Sequence, residues 1–264
     1  MPFFRVSFLE KLAPVTAIFS TRQGGQSEGP YKSLNLGFHV GDDYAKVLAN
    51  RRLLAEVSGL PLEKWVAGEQ VHGAKVAVVD SGQAGSGAED PGTSLKGVDG
   101  LITADKGVVL AAFFADCVPV YLLDVKRQVI GLVHAGWRGT VKRIAARAVE
   151  LMNEVFGSRG RDCWAVVGPS IGPCCYEVGP EVEESFKSFS WAGKVLKPGE
   201  GGRLHLDLWE ATRLTLLDMG LLPERIAVAS LCTACHSDIF FSHRGSGGHT
   251  GRLGALLGWR LDGE

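Results

Sequence analysis

The middle of the chain carries three apolar segments in succession, with no helical pattern between them. They read "GVVLAAFF" (107–114), "VPVYLLD" (118–124) and "QVIGLVH" (128–134). Short apolar runs of this kind are strand candidates, and three further candidates occupy residues 75–80, 163–168 and 225–230. Because these strands come in consecutive runs and do not alternate strictly with helices, we predict an α+β fold. It should consist of packed mixed β-sheets flanked by helices, not of one doubly wound parallel sheet.

Three helices are predicted from their start and stop signals. The first spans about residues 44–58, between "GDD" and "GLP". The second follows "RGT", presents one apolar face and stops at Gly157. The third starts with Asp207 and Glu210 in a capping-box pattern, and it ends before Gly220.

Two long stretches are rich in glycine and serine, at residues 80–100 and 243–254. Strand-like segments continue on both sides of the first stretch without a shift in composition. We therefore interpret it as a long surface loop and not as a linker between domains. A single domain over residues 1–264 is expected.

The net charge limits the possible binding partners, and the cysteines are interpreted according to the cellular compartment. A formal net charge of −1 creates no overall field for nucleic acid or an anionic membrane, so neither is expected as a partner. The most apolar stretch is interrupted by Asp116 and Pro119, which argues against a membrane span. The N-terminal residues lack an uninterrupted apolar core, so a cytoplasmic location is expected. There, the six cysteines are expected to be thiols or metal ligands, not disulfides.

Three potential metal ligands stand at strand edges or turns: His72 in "EQVHG", Cys117 in "FADCVPV" and His134 in "GLVHAGW". Two imidazoles and a thiolate suit zinc, and three protein ligands leave a fourth position for water or substrate. Their spacing carries no local metal-binding signature, so the sequence alone does not bring them together. The alternative is that Cys117 is a small buried apolar residue.

The remaining cysteines offer a second set of ligands. "CTACH" (232–236) has the form of a c-type haem attachment site, but covalent haem normally accompanies export, which the N-terminus does not support. A redox pair of Cys232 and Cys235 lacks the usual strand-to-helix context. Together with Cys174 and Cys175 they would form a four-thiolate structural zinc site, and thiols without a metal are the more common alternative.

Arg51 falls within the apolar stripe of the first predicted helix. A guanidinium is rarely fully buried without an anionic partner. Two interpretations are open: a structural ion pair or a stem that reaches the surface, or an arginine that points into a pocket and binds an anionic substrate group.

The segment "VHAGWRGT" (133–140) combines His134 with a potential anion site. Gly136 and Gly139 would let the backbone turn tightly, and Thr140 would cap the following helix. Free backbone N–H groups at that helix start, with Arg138 alongside, would suit phosphate. The alternative is a tight turn with surface side chains.

These segments occur in an order that resembles a known family. They include "STRQGG", "YKSLNLGFHVGDD", "EQVHG", "ADCVPV", "VHAGWRGT", "GPSIGPCCYEVG" and "LCTACHSDIFFSHR" followed by "TGRLGALLGW". From about residue 20 to 259 the chain resembles the laccase-domain, purine nucleoside phosphorylase-like family, also labelled polyphenol oxidase, peptidoglycan editing factor or YfiH-like.

The resemblance implies roles for individual residues. The zinc ligands of the family fall on His72, Cys117 and His134, the same residues chosen above on chemical grounds. Its pocket arginine falls on Arg51, and its asparagine and following histidine, expected to bind substrate, fall on Asn35 and His39. The fold implied is a single α+β domain with packed mixed sheets and flanking helices.

The activity implied is zinc-dependent chemistry on purine nucleosides. It comprises phosphorolysis of adenosine, inosine and methylthioadenosine to base and ribose 1-phosphate, and hydrolytic deamination of adenosine. Arg51 and Arg138 would bind phosphate. Asp116 is a candidate proton carrier or a residue that orients Cys117, although neighbouring strand residues point to opposite faces.

Other classes of function compete with this one. Cys117 and His134 could act as nucleophile and base of an amidase that edits cell-wall precursors such as UDP-MurNAc-Ser. Copper at the same three ligands could oxidise phenols, although no methionine stands ready as an axial ligand. A non-catalytic zinc module would unfold when the metal is removed. The sequence specifies no oligomeric state.

Overall fold

Two β-sheets packed face to face form the centre of the molecule, in a computed structural model that describes residues 1–199 and 202–260. A small third sheet lies beside them. The strands are β1 (Phe3–Arg5), β2 (Val15–Ser20), β3 (Trp65–Ala67), β4 (Val76–Val78), β5 (Gly100–Thr103), β6 (Val109–Phe114), β7 (Val118–Asp124), β8 (Val129–Ala135), β9 (Cys163–Val167), β10 (Glu177–Val178), β11 (Leu196–Pro198), β12 (Leu204–Leu206), β13 (Ile226–Val228) and β14 (Leu253–Trp259).

Helices cover the outer faces of the two large sheets. None of those in the described part of the chain has the length and apolar character needed to cross a membrane. The helices are α1 (Ser7–Glu10), α2 (Tyr44–Ser58), α3 (Trp137–Val141), α4 (Ile144–Phe156), α5 (Pro180–Phe186), α6 (Ala192–Val195) and α7 (Leu208–Asp218).

Both large sheets mix parallel and antiparallel pairs. One has the order β1-β2-β14-β6-β3, in which only β6 and β3 run parallel. The other has the order β13-β9-β7-β8-β5-β4, with parallel pairs at its two edges and antiparallel pairs in its centre. The predicted α+β fold with mixed sheets and flanking helices is confirmed.

The core consists of three apolar layers, and β7 contributes to two of them. Its Val120 and Leu122 pack in the layer with α4 and α7, whereas Tyr121 and Leu123 pack between the two large sheets. The third layer joins α2 to the outer face of the five-stranded sheet. A strand that is buried on both faces needs apolar residues at every position, which explains the uninterrupted run in the sequence.

The predicted strand candidates are all present, but the second predicted helix is divided. Arg143 adopts a left-handed conformation with φ of 58° and separates α3 from α4. In α7, Asp207 accepts a hydrogen bond from the Glu210 amide at 3.0 Å. The Glu210 carboxylate pairs with Arg213 instead of returning to Asp207, so only half of the capping box is formed.

Residues 80–100 form the predicted long loop. The loop connects β4 to β5, which are parallel neighbours in the same sheet. It packs against α2, where the Tyr44 hydroxyl donates to the carbonyl of Glu89 at 2.8 Å. The Gly-rich stretch 243–254 ends within β14, the central strand of the five-stranded sheet, which the sequence analysis did not identify.

Candidate metal centre and substrate cavity

The β7–β8 pair brings Cys117 and His134 to one end of the six-stranded sheet. In this antiparallel pair Val118 lies opposite Ala135, and Pro119 lies opposite His134. Cys117, immediately before β7, and His134, near the end of β8, therefore meet at the same edge. Their separation of 17 residues is the length of the two strands and their turn.

Asp99 connects His72 to the same edge. It precedes β5, whose Gly100 lies opposite Val133 of β8. The Asp99 carboxylate accepts hydrogen bonds from the amides of Val71 (3.2 Å), His72 (3.0 Å) and Gly73 (2.8 Å). It also contacts the Nδ1 of His134 at 3.0 Å. One carboxylate thus holds the turn that carries the first histidine and the ring of the second.

The three predicted metal ligands converge. One side-chain donor atom from each of His72, Cys117 and His134 lies within 4.8 Å of the other two. The two imidazole ring centres are 5.0 Å apart at an interplanar angle of 70°. His134 and Asp99 are buried, Cys117 is half-buried and His72 is exposed, so the cluster has a closed side and an open side.

Electrostatics favour a thiolate at Cys117. Burial raises the pKa of this thiol, but the neighbouring His134 and His72 outweigh that effect and lower the pKa to about 6. Burial likewise lowers the pKa of His134, but the thiolate and Asp99 raise it to about 9. The thiolate, not the thiol, is the form that binds metals.

This donor set fits zinc. Because Asp99 contacts Nδ1 of His134, the Nε2 atom is the one directed at the other two ligands, and a carboxylate behind a ligating histidine is typical of zinc sites. Two nitrogens and one sulfur leave a fourth coordination position, as catalytic zinc requires. The open side of the three-residue cluster faces a cavity.

The cavity has a volume of about 440 Å³, and the three ligands form part of its wall. Three arginines, Arg138, Arg244 and Arg252, line it as well. Aromatic side chains complete the wall, namely Phe113, Trp137 and Tyr176. A cavity of this size suits a small molecule, and its wall offers flat apolar surfaces together with cationic groups for an anion.

Gly136 packs closely against the metal ligands, a role that the sequence did not reveal. The chain does turn tightly here, because Gly136 alone separates β8 from α3, but its φ of −77° is open to any residue and does not require glycine. A Cβ at this position would lie 3.0 Å from the Cys117 Sγ and 3.1 Å from the His72 Cδ2. An alanine here would press on the side chains of Cys117 and His72 and displace them by a few tenths of an ångström, whereas glycine leaves both ligands in place.

The helix after Gly136 also begins earlier than predicted. It starts at Trp137, and Gly136 occupies the capping position. Thr140 is therefore not the N-cap; its hydroxyl donates to the carbonyl of Gly136 at 2.9 Å. Arg138 stacks on the Trp137 ring at 4.3 Å and lines the cavity, which agrees with the predicted place of this arginine near His134.

Arg51 is buried, but within residues 1–199 and 202–260 it pairs with no anionic side chain, and it is not among the residues that line the cavity. Its Nε donates to the carbonyl of Leu36, and its Nη1 donates to the carbonyls of Gly87 and Ala88, at 2.7–2.8 Å. Its guanidinium lies 4.1 Å from the ring centres of both Phe38 and Phe113. Both interpretations of the sequence assumed a charged or aqueous partner, whereas the structure satisfies this arginine with carbonyls and aromatic rings.

Asn35 also lies behind the cavity wall. Its amide nitrogen donates to Asp42, and its oxygen accepts from the amides of Gly37 and Arg252. The side chain is fully buried, so the expected direct contact with substrate is not supported by this geometry. Asn35 instead positions Arg252. The predicted site residues that do line the cavity are His39, His72, Asp116, Cys117, His134 and Arg138.

Asp116 occupies a bend between β6 and β7, with φ of 83°. The argument that it must point away from Cys117 is therefore wrong, because residues 115–117 do not follow strand geometry. Its carboxylate accepts from the Thr233 hydroxyl at 2.6 Å and from the Arg244 amide at 2.7 Å. These bonds suit a residue that positions the cavity wall.

Sequence reasoning missed Asp99, Arg244 and Arg252. Asp99 stands in "GVDG" and reads as an ordinary turn residue. The two arginines lie in the glycine-rich stretch 243–254. Glycines let the backbone approach a ligand closely, so arginines among them could have indicated a binding site.

Comparisons with known proteins show the family to which the chain belongs. The chain belongs to the family described as "Multi-copper polyphenol oxidoreductase laccase", which matches residues 16–260. It is 45% identical over 250 residues to "Purine nucleoside phosphorylase YlmD" from Geobacillus stearothermophilus, covering 94% of this chain and 91% of that protein. It is 36% identical to "Adenosine deaminase RL5" from an unknown prokaryotic organism, covering 94% and 95%.

A solved structure extends the comparison to the fold. The crystal structure of YlmD from Geobacillus stearothermophilus superposes with a TM-score of 0.93 at 42% identity, covering 99% of this chain and 97% of that one. The resemblance noted from the sequence is therefore confirmed.

Proposed function

We propose that the protein is a zinc-dependent purine nucleoside phosphorylase with adenosine deaminase activity. The observation that carries the proposal is the convergence of His72, Cys117 and His134 on the wall of a cavity that also holds three arginines. The names of its relatives support purine nucleosides as the substrate class. A zinc ion bound there would supply Lewis acidity at the cavity wall.

The arginines provide the phosphate site of this proposal. Arg252 is half-buried, and its Nη1 is fixed by the carbonyls of Thr250 and Gly251 at 3.0 and 3.1 Å. Arg244 donates to the carbonyl of Glu177 at 2.7 Å. Guanidinium groups held in this way recognise phosphate with little loss of side-chain freedom.

The aromatic residues provide the site for the base. Phe113, Trp137 and Tyr176 offer flat surfaces for a purine ring. With both sites filled, phosphate lies against the ribose. The glycosidic bond then breaks, a phosphate oxygen bonds to the ribose C1′, and the purine leaves with a proton. Much of the acceleration would come from positioning.

His39 is the candidate for moving that proton. The side chain of His39 is exposed, yet desolvation by the surrounding protein atoms and the nearby Arg252 and Arg51 lower its pKa to about 4. The ring is therefore neutral at pH 7, with one nitrogen able to donate and the other able to accept a hydrogen bond. A neutral imidazole at this place adds no charge to the phosphate site and can exchange a proton with the substrate.

One incubation tests the proposal. Purified protein with quantified metal is mixed with adenosine, with and without phosphate, and the products are separated by chromatography. We expect adenine and ribose 1-phosphate only when phosphate is present, and inosine in both conditions. If neither product forms, the proposal is wrong.

The metal dependence separates this function from its competitors. Chelation should abolish turnover, and zinc should restore it. An amidase that uses Cys117 as nucleophile would keep its activity after chelation and form a covalent adduct. A copper oxidase would recover with copper and consume oxygen; the described cavity wall contains no methionine as a weak axial ligand for such a site.

Replacing Arg252 by Gln tests the phosphate site. We expect the KM for phosphate to rise at least about tenfold, whereas deamination of adenosine, which needs no phosphate, should change much less. Arg52→Gln is the matched control, because Arg52 pairs with Glu89 on the surface of α2. Equal losses of both activities in Arg252→Gln would contradict the assignment.

A further inference from the structure

Four cysteines form a second cluster that the proposed function does not use. Cys174, Cys175, Cys232 and Cys235 each place a sulfur within 4.8 Å of the other three. Cys174 and Cys175 lie in one turn, and Cys232 and Cys235 lie in another, 60 residues further along the chain. The two turns are joined by a parallel bridge between Ser170 and Cys232.

The distances between the sulfurs exclude a disulfide in this arrangement. The Sγ of Cys235 is 3.5 Å from that of Cys174 and 3.4 Å from that of Cys175, whereas a disulfide bond measures about 2.05 Å. Four sulfurs bound to one zinc at about 2.3 Å stand about 3.8 Å apart. A multi-iron cluster would spread its thiolates over several metal atoms, so the compact arrangement favours a single ion.

Packing does not explain the cluster. A cysteine without a chemical role is usually buried as a small apolar residue, and Cys163 in β9 is an example in this chain. Cys174 and Cys235, by contrast, are exposed, and only Cys232 is buried. Two pairs of thiols that meet at the surface gain little from apolar burial, so another interaction must hold them.

The surroundings suit bound thiolates. The amide of Gly172 donates to the Sγ of Cys232 at 3.2 Å, and a Cβ on Gly172 would lie 3.2 Å from the Sγ of Cys174. Lys197 and Arg203 line the groove that contains Cys174, and Arg203 pairs there with Glu177 at 2.9 Å. A zinc ion with four thiolates carries net negative charge, which Lys197 would partly offset.

We propose that Cys174, Cys175, Cys232 and Cys235 bind a structural zinc ion, separate from the ion of the candidate active site. This ion would join the turn that leads to Tyr176 with the segment that leads to Arg244. Both residues line the substrate cavity, and the Arg244 guanidinium lies 5.1 Å from the Tyr176 ring centre. The proposal concerns only metal binding, and it stands or falls independently of the enzymatic activity.

Metal content of matched variants tests it. Zinc per chain is measured by mass spectrometry after removal of loosely bound metal. We expect two ions in the wild type and one in the double variant Cys174→Ser/Cys235→Ser. Cys117→Ser should also retain one ion, that of the four-cysteine site, and Cys163→Ala should retain both. If the double variant binds as much zinc as the wild type, the proposal is overturned.

A second measurement needs no variant and therefore does not depend on folding. Wild-type protein is treated with iodoacetamide before and after chelation, and the modified cysteines are located by peptide mass mapping. Cys174 and Cys235 are exposed, so zinc should protect them, and both should react faster after its removal. Rapid reaction before chelation would overturn the proposal, as would an intact mass showing a disulfide among the four.

Discussion

Asp99 offers the sharpest test of how the candidate active site is built. Burial raises the pKa of this carboxyl, but its hydrogen bonds with His134 and with backbone amides outweigh burial and lower the pKa. Asp99 is therefore ionised at neutral pH. In Asp99→Asn the side chain keeps its size and one acceptor oxygen, but it loses the charge. With its oxygen kept toward His72 and His134, its NH₂ group faces the backbone donors of both Val71 and Gly73.

Asp99→Asn is expected to reduce both the affinity for zinc and the stability of the fold. A carboxylate behind a ligating histidine contributes about 10- to 100-fold in metal affinity, which corresponds to about 1.4–2.7 kcal/mol. Unsatisfied amides in the turn that carries His72 cost about 1–3 kcal/mol in stability. Zinc affinity is measured by titrating metal-free protein in competition with a chromophoric chelator, and folding is checked by circular dichroism.

Asp105→Asn is the matched control for this substitution. Asp105 follows the other end of β5 and accepts from the amides of Ser81 and Gly107 at 2.8 and 2.6 Å. It makes the same kind of backbone contact away from the metal ligands, so zinc affinity should stay at the wild-type level. Unchanged affinity in Asp99→Asn, or an equal loss in both variants, would refute the role assigned to Asp99.

Three further substitutions or measurements examine other parts of the structure. Gly136→Ala places a methyl group 3.0 Å from the Cys117 sulfur, so zinc should bind at least about tenfold more weakly. The control Gly193→Ala, which has no described atom within 4 Å of its Cβ, should bind zinc with normal affinity. Equal zinc affinities of the two variants would contradict the close packing at Gly136. In metal-free protein the lowered pKa of Cys117, about 6, favours the thiolate. The rate of alkylation of this residue should therefore be high above about pH 7 and fall as the pH is lowered through 6. A midpoint of the rate profile near pH 9 would contradict the pairing of Cys117 with the two histidines. Arg51→Lys loses hydrogen bonds to three carbonyls and two aromatic stacking contacts. The free energy of unfolding measured in urea should therefore fall by about 2–4 kcal/mol, and the KM for phosphate should not change. Full stability with a raised KM would instead support an arginine that points into the pocket and binds an anionic substrate group.

The centre of the fold could be predicted because its strands are buried on both faces. β7 and β8 carry apolar residues at nearly every position, and that signal does not depend on their neighbours. β14 is equally buried, but it starts inside a glycine-rich stretch and includes Gly254 and Gly258. Its identity as a strand depends on pairing with β2 and β6, which lie far away in the chain.

The candidate site could be predicted by ligand chemistry but not by geometry. Histidine and cysteine are common metal ligands, so the sequence indicates them as candidates. The convergence of Cys117 and His134, however, depends on the register of β7 with β8. Asp99 has no such chemical signature, because its role arises only when β5 pairs with β8 beside the turn of His72. The sequence shows that Arg51 lies within the apolar stripe of its helix. Two of its carbonyl partners belong to the loop 80–100, and no local pattern specifies the path of that loop, so the partners could not be predicted.

The most direct test of the account is the location of zinc in crystals of the active protein. Anomalous difference maps recorded on both sides of the zinc absorption edge should show a peak at about 2.0–2.3 Å from the donor atoms of His72, Cys117 and His134, with one side facing the cavity. An active protein without zinc between these three residues would contradict the account.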